Sequence, residues 1–290
     1  MASEPEYDRN TLKASGLIQQ KQADFFCVRL RIVGGSVGAE QLLTLARLCG
    51  KYGTGHVHLT TRQGVEIPNV RACDVERISD ELEAAGLEIG VRGRRVRTIT
   101  ACQGGLCSHG VIDSQRLAQR IDAIWYGRGG LPHKFKIGIT GCPNGCIKPR
   151  ENDLGVMGLV LKEFADALCT GCGLCEQACP APGALRIEDG QLLHDDSQCV
   201  SCGACVAACP TGAWQQVGVR YAIFVGGKMG KFPRLGDRLP VEVVDEEHLL
   251  RLVETVIEWY AEHGKAGERF GATLEAVGLP SLVDRLEPTG

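Results

Sequence analysis

The chemistry of this 290-residue chain resides first in its fifteen cysteines. Four stand in two glycine-rich stretches, Cys102-Gln-Gly-Gly-Leu-Cys107 and Thr140-Gly-Cys142-Pro-Asn-Gly-Cys146. Each stretch follows a run that reads as a strand, Val96 to Thr100 and Phe135 to Thr140. Two such loops brought together could hold a [4Fe–4S] cluster, because soft sulfur suits iron and glycine lets the backbone wrap closely. Zinc would accept the same four thiolates.

Eight more cysteines form a repeat. Cys169-x2-Cys172-x2-Cys175-x3-Cys179-Pro180 returns thirty positions later as Cys199-x2-Cys202-x2-Cys205-x3-Cys209-Pro210. This is the bacterial two-cluster ferredoxin pattern, in which the fourth cysteine of each run closes the other cluster. It assigns Cys169, Cys172, Cys175 and Cys209 to one [4Fe–4S] cluster, and Cys199, Cys202, Cys205 and Cys179 to a second. Paired zinc knuckles are the competing reading, and the regular repeat with its trailing prolines argues against them. Two adjacent clusters pass electrons singly, so the earlier cysteine set is the candidate acceptor and reads as iron as well. The remaining Cys27, Cys49 and Cys73 have apolar neighbours and read as buried thiols. So many cysteines without an export signal point to metal binding in a reducing cytoplasm, not to a disulfide framework.

Charge supplies the second clue. The formal net charge of −3 predicts nothing about nucleic acid, no nucleic-acid partner is expected, and no apolar run reaches the length of a membrane span. Between Gly86 and Arg150, however, eleven Lys and Arg face three acids, Glu88, Asp113 and Asp122. A solvated basic face is the ordinary explanation of such a run, and a pocket for an anion is the sharper one. Lys134 and Lys136 sit two apart on a strand and share a face, as do Arg29 and Arg31. An edge strand guarded by lysines, or a polar sheet face, would account for either pair alone.

The elements that must position these groups follow from periodicity. Met1 to Ala23 is polar and reads as a loosely held arm. Phe25 to Val33, His56 to Thr60 and Gly64 to Ile67 read as strands, with helices over Glu40 to Cys49 and Val70 to Ala85, the second closed by Gly86. A second α/β segment begins near residue 91, with a helix over Gln115 to Trp125 and a strand over Leu154 to Leu161. The repeat enters near Glu163 and leaves near Trp214, with a hairpin around Asp189-Gly190. A strand over Val219 to Val225 and a long helix over Glu246 to His263 then resume the interrupted domain. Trp125 and Trp259 read as core. His109 and His133 flank the basic motifs, and an ordinary solvent or core role outweighs a proton relay. Gly34-Gly35-Ser-Val-Gly38 lacks the order of a dinucleotide fingerprint.

Taken together, Cys102-x4-Cys107, Thr140-Gly-Cys142-Pro-Asn-Gly-Cys146, Thr60-Thr-Arg-Gln-Gly64, Val96-Arg-Thr98, Lys134-Phe-Lys136, Gly226-Gly-Lys228 and Gly267-Glu-Arg-Phe-Gly271 resemble the sirohaem-dependent sulfite and nitrite reductases. The resemblance runs from about Phe25 to Leu286, and the inserted repeat makes it most similar to the C subunit of anaerobic sulfite reductases and the dissimilatory-type enzymes. It implies an α+β fold: a polar arm over 1–24, a ferredoxin-like half over 25–90, a mixed-sheet cofactor domain over 91–163 and 214–290, and a two-cluster ferredoxin over 164–213. It implies that Cys102, Cys107, Cys142 and Cys146 hold a third [4Fe–4S] cluster, with Cys146 also ligating sirohaem iron. Arg29, Arg97, Lys134 and Lys136 match the family's substrate-binding cations, while Arg31 joins Arg62, Gln63, Gly226, Gly227 and Lys228 as expected sirohaem contacts. The implied activity is reduction of sulfite to sulfide, fed through the insert by an external redox protein or subunit. Nitrite reduction to ammonia and a non-catalytic electron-transfer subunit are the alternatives. Larger relatives divide the cysteines and the cations between two tandem copies; here one copy carries both. A homodimer, or a place in a larger hetero-oligomer, is therefore implied, with cations reaching a cofactor held by the partner's cysteines.

Overall fold

The computed structural model describes residues 16–286. Its first unit is an antiparallel sheet in which β1 (Leu17–Gln19) and β2 (Phe25–Arg31) pair, α1 (Ala39–Tyr52) crosses over, and β3 (His58–Leu59) and β4 (Val65–Arg71) follow. After α2 (Val75–Ala84), β5 (Glu88–Ile89) returns beside β2. Phe26, Val28, Leu30, Ile67 and Val70 from the strands bury against Leu45, Leu48, Ile78 and Leu82 from the two helices.

Three expectations change here. Leu17–Gln19, placed in the polar arm, is a strand with Leu17 buried, because Leu17 and Ile18 pair with Val28 and Cys27; the first fifteen residues lie outside the described ones. The third strand runs through Pro68 to Arg71, and the second helix starts five residues later than expected, at Val75. Proline is tolerated because the β2–β4 register shifts there, leaving Pro68 and Asn69 as a bulge with Asn69 at φ 59°. Cys73 lies in a 3-10 turn and is exposed, whereas Cys27 and Cys49 are buried.

The second unit is a mixed sheet. β6 (Thr100–Ala101), α3 (Ser114–Trp125), β7 (Ile137–Thr140) and β8 (Leu154–Phe164) supply three adjacent parallel strands. Between β8 and the next long strand the chain forms a small unit of α4 (Leu174–Ala178), β9 (Leu185–Glu188), β10 (Gln191–His194) and α5 (Ala204–Ala208). Asp189 and Gly190 both take positive φ and close the β9–β10 hairpin. β11 (Trp214–Val225) then pairs antiparallel with the whole of β8, from Trp214 opposite Phe164 to Val225 opposite Leu154, and β12 (Asp237–Arg238) completes the edge. Cys175, Leu185, Cys205 and Trp214 form a separate small core for the projecting unit.

Asp113 and Asp245 accept backbone N–H bonds at the starts of α3 and of α6 (Glu246–His263). These helices, with α7 (Phe270–Val277) and α8 (Leu279–Leu286), pack into one core with the sheet. Among the described residues no helix is long and apolar enough to cross a membrane. Phe135 is fully buried against Tyr260 and Phe270, with ring centroids 5.8 and 5.4 Å away. A residue so placed fixes its neighbours on the opposite face of the extended chain. Phe135→Ala should cost ~3–5 kcal/mol, read as a lower denaturation midpoint at unchanged denaturant slope, with both flanking lysines losing their common anchor.

Candidate functional site

Phe135 separates the two residues that matter most around it. Lys134 and Lys136 lie on the face opposite its ring, and its own backbone pairs with the preceding strand-like segment: Phe135 N–H donates to Arg95 O at 3.0 Å, and Arg97 N–H donates to Phe135 O at 2.9 Å. This pairing sets Arg97 beside the lysines. With Arg29 from β2, Arg62 from the β3–β4 turn and Arg92, they line a cavity of ≈ 410 Å³ that also exposes Thr60, Thr61 and Thr98. No acidic residue is among its lining residues.

Crowded cations leave their mark on one another. Burial, reinforced by Arg62, Lys134 and Arg269, brings the Lys136 ammonium down to about 8. Burial and then Arg92, Arg29 and Arg62 bring Arg97 down to about 10, and burial does the same for Arg62. Lys134 is lowered by burial and by Arg269 and Arg97. Arg97 donates to the carbonyls of Val91 and Gly93, but its buried Nε has no partner. Arg29 is paired with Glu66 at 2.5 Å. Such a set suits an anion with several oxygens, which would satisfy the orphaned donor and relieve the repulsion.

The cavity rests on a buried ion pair that no motif assignment had singled out. Asp153, fully buried, takes Arg269 at 2.8 Å and accepts the backbone N–H of Lys136 at 2.9 Å. Arg269 belongs to the quoted Gly267–Gly271 motif, yet nothing in spacing could show its partner. Arg62 donates to Asn152 Oδ1, Thr98 O and Ile137 O, so its guanidinium ties the first unit to the second.

The cysteine loops leave from the other ends of the same strands. β6 and β7 pair in parallel, Thr100 opposite Gly138 and Ala101 opposite Ile139, so Cys102 and Cys142 emerge side by side. The loops interlock through glycine. A Cβ on Gly141 would stand 2.7 Å from Gly104 Cα, and one on Gly104 would stand 2.4 Å from Ile112 O. Ser114 Oγ accepts from Gly104 N–H and donates to Cys102 O, and Gly141 N–H donates to Cys102 Sγ at 3.0 Å. Burial raises the Cys142 thiol against the pull of the Asn144 backbone N–H, and Cys102, Cys146 and Cys107 push it the same way as burial. Cys146 and Cys107 are exposed.

In the projecting unit, Cys169, Cys172, Cys175 and Cys209 line one small pocket with Phe164, Ile187 and Trp214. Cys199, Cys202 and Cys205 lie within electrostatic reach of one another. Among the described residues no three His, Cys, Asp or Glu converge as they would on a single ion. The buried Trp214 Nε1 has no hydrogen-bond partner, a donor left for whatever fills that pocket. Four thiols around a space, with a spare donor facing it, fit an iron–sulfur cluster.

The expected sirohaem contacts other than Arg62 lie outside the cationic cavity. Arg31 is outside the cavity: it pairs with buried Asp122 at 2.6 Å and with Glu88 at 2.5 Å, and stacks 4.1 Å from the Tyr126 ring centroid. Alternation does put it on the face of Arg29, but α3 and β5 supply carboxylates that hold it away. Gln63 exchanges two hydrogen bonds with the backbone of Ala101, at 2.8 and 2.9 Å, next to Cys102. Gly226 and Gly227 are buried, where a Cβ on Gly227 would strike Arg150 O, and Lys228 is half-buried. His133 is held neutral, down to about 4, by burial and by Arg269 and Lys134, while its Nδ1 accepts the Lys134 N–H; His109 is exposed.

Fold and site together define a cysteine-rich α+β protein of two linked units with a cationic cavity. Residues 92–289 match the nitrite and sulphite reductase 4Fe-4S domain, and residues 18–85 match the nitrite/sulfite reductase ferredoxin-like half domain. The chain belongs to the nitrite and sulfite reductase family. It is 32% identical to an uncharacterized protein of Methanocaldococcus jannaschii, covering 94% of both chains, and 33% identical to the coenzyme F420-dependent sulfite reductase of that organism, covering 92% of this chain and 43% of the other. It is 35% identical to the C subunit of the anaerobic sulfite reductase of Salmonella typhimurium, covering 81% of this chain and 74% of that one. Its fold is similar to that of dissimilatory sulfite reductase I, with a TM-score of 0.73 at 23% identity, over 91% of this chain and 69% of the other.

Because Lys136 sits at about 8, its charge is present below that pH and lost above it. Affinity for a small oxyanion, probed with inorganic sulfate by calorimetry, should be flat to about pH 7 and fall as pH rises through 8. Lys136→Arg, which keeps its charge, should remove the fall.

Proposed function

We propose that this chain is a sulfite reductase that takes sulfite to sulfide with electrons supplied by a separate redox protein. The carrying observation is the acid-free cavity of Arg29, Arg62, Arg92, Arg97, Lys134 and Lys136 in a chain of this family. Sulfite is favoured over nitrite because the relatives that share a third of their residues with most of this chain, where their names state an activity, are sulfite reductases.

Cys102, Cys107, Cys142 and Cys146 would hold a [4Fe–4S] cluster, with Cys146 shared by sirohaem, and the cysteines of the projecting unit would hold two more. When bound, these groups supply single electrons and an iron that takes the substrate. The chain's own residues do the rest. Arg97 and Lys134 bind and orient the anion through charge-assisted hydrogen bonds. Lys136, charged below about pH 8 yet holding its proton less tightly than an ordinary lysine, can donate a proton where oxygen departs as water and recover it from solvent. Burial of these groups excludes much of the competing water and strengthens each interaction.

Cysteines and cations stand at opposite ends of one pair of strands. Lys136 and Gly141 are five residues apart, as are Arg97 and Cys102, which is ~16 Å of extended chain. Both cysteine loops thus leave from the strand ends away from these cations. This supports a two-copy site, with the cations of one protomer facing the cofactor held by its partner. A hetero-oligomer with further subunits is compatible with it.

Holoprotein should contain about twelve cluster irons per chain and one in sirohaem, with sirohaem bands in the visible spectrum. Turnover with a reduced dye should be faster on sulfite than on nitrite. Ferredoxin-type absorbance alone, without turnover, would sink the enzyme reading in favour of an electron-transfer role. Separately, mixing Arg97→Ala chains with Cys146→Ser chains should restore up to one active site per mixed dimer, and no recovery would rule out the shared site.

A further inference from the structure

The thirty-residue repeat is kept at every cysteine and at both prolines, and a Gly-Ala pair follows each run, Gly183-Ala184 and Gly212-Ala213. After that pair the first copy has Leu185 and the second has Trp214. Both are buried, so the difference lies inside the projecting unit. Trp214 lines the pocket of Cys169, Cys172, Cys175 and Cys209. Its Nε1 is buried without an acceptor, and it leans toward the Cys175 sulfur without the alignment of a formed hydrogen bond.

An indole N–H is a donor only, and burying it unpaired is costly. The ring cannot turn away to find another acceptor. Phe164 packs 4.8 Å from it, His194 meets it edge-on at 5.1 Å, and Lys162 Nζ lies 4.0 Å from its centroid while contacting His194 Nε2 at 3.2 Å. The pocket itself offers sulfur. Another donor stands beside the same set: Thr211 Oγ1 lies 3.5 Å from the Cys209 sulfur. Leu185, the counterpart of Trp214, can provide no side-chain donor to the other set.

We propose that Trp214 makes the two clusters of the projecting unit inequivalent, its indole N–H donating to a sulfur of the Cys169–Cys172–Cys175–Cys209 cluster and making that cluster the more easily reduced. This rests on the cluster reading given above. Trp214 is a positioning residue: a donated N–H stabilises the more negative, reduced state over the oxidised one. Each cluster gains one electron from the external donor, with no bond made or broken. An electron reaching the pair therefore settles first on the Trp214 side.

Anaerobic holoprotein and its Trp214→Phe variant should be titrated with dithionite and followed by EPR. Phenylalanine keeps an aromatic ring against Phe164 and removes the donor. One midpoint should fall by about a tenfold change in its reduction equilibrium, ~59 mV for a one-electron couple, while the others stay put. Wild-type protein labelled with 15N in its indoles gives a second reading that does not depend on the variant folding: pulsed EPR should show a weak nitrogen coupling on one reduced cluster. Unmoved midpoints, two midpoints falling together, or no nitrogen coupling would overturn the inference and leave the three-cluster reading standing. About four cluster irons per wild-type chain, in place of twelve, would overturn that reading and this inference with it.

Discussion

Four backbone pairings hold the functional groups in place: Thr100 and Ala101 in parallel register with Gly138 and Ile139, and Arg95 and Arg97 hydrogen-bonded to Phe135. Parallel pairing puts like ends together. It sends both cysteine loops out at one end and leaves Arg97, Lys134 and Lys136 together at the other. An antiparallel pair would have mixed the two sets. A slip of one residue would turn Phe135 out of the core and the lysines into it, so the buried aromatic and the two ammonium groups specify one register between them.

The cationic cavity is costly to the isolated chain. Six positive side chains share it, and five of them hold their protons less tightly, first through burial and then through neighbouring positive charge. Repulsion of this kind is tolerated only where the surroundings fix the groups. Asp153 and Arg269 do that from beneath, through the Lys136 backbone, and Arg62 from the side. An arriving anion removes the repulsion without moving the scaffold. The strain and the binding free energy are therefore two aspects of the same arrangement, and the site has little need to reorganise.

Much of this was legible in the sequence because cysteine spacing and two-residue alternation are local signals. The loops after β6 and β7, the hairpin at Asp189-Gly190, and the excursion between Phe164 and Trp214 all lie where spacing placed them. What escaped depends on partners far along the chain. Arg31 shares the alternation of Arg29, but Asp122, ninety-one residues on, captures it. Gln63 is expected only as a sirohaem contact, and the fold alone shows it hydrogen-bonded to Ala101. Asp153 was invisible because a lone aspartate near a strand start says nothing until Arg269 is brought against it. Leu17–Gln19 failed for a different reason: three residues are too few for periodicity to register, and pairing with β2 outweighs the polar flanks.

The same distinction bears on how the projecting unit is carried. It is no bead on a flexible linker. β8 and β11 stay paired along eleven positions, with one shift between Gln216 and Gly218, and the last residue of β8, Phe164, and the first of β11, Trp214, enter the core of the unit they support. Val160 N–H donates to Ser201 O, and Arg220 donates to Ser201 Oγ, so the second cysteine run also packs on the ribbon. A side-chain core shared between ribbon and unit fixes their separation more tightly than any loop could. Electron passage falls steeply with distance, so a fixed separation fixes a rate. The ribbon is then as much a part of the proposed chemistry as the cysteines, although none of its residues needs to touch a substrate.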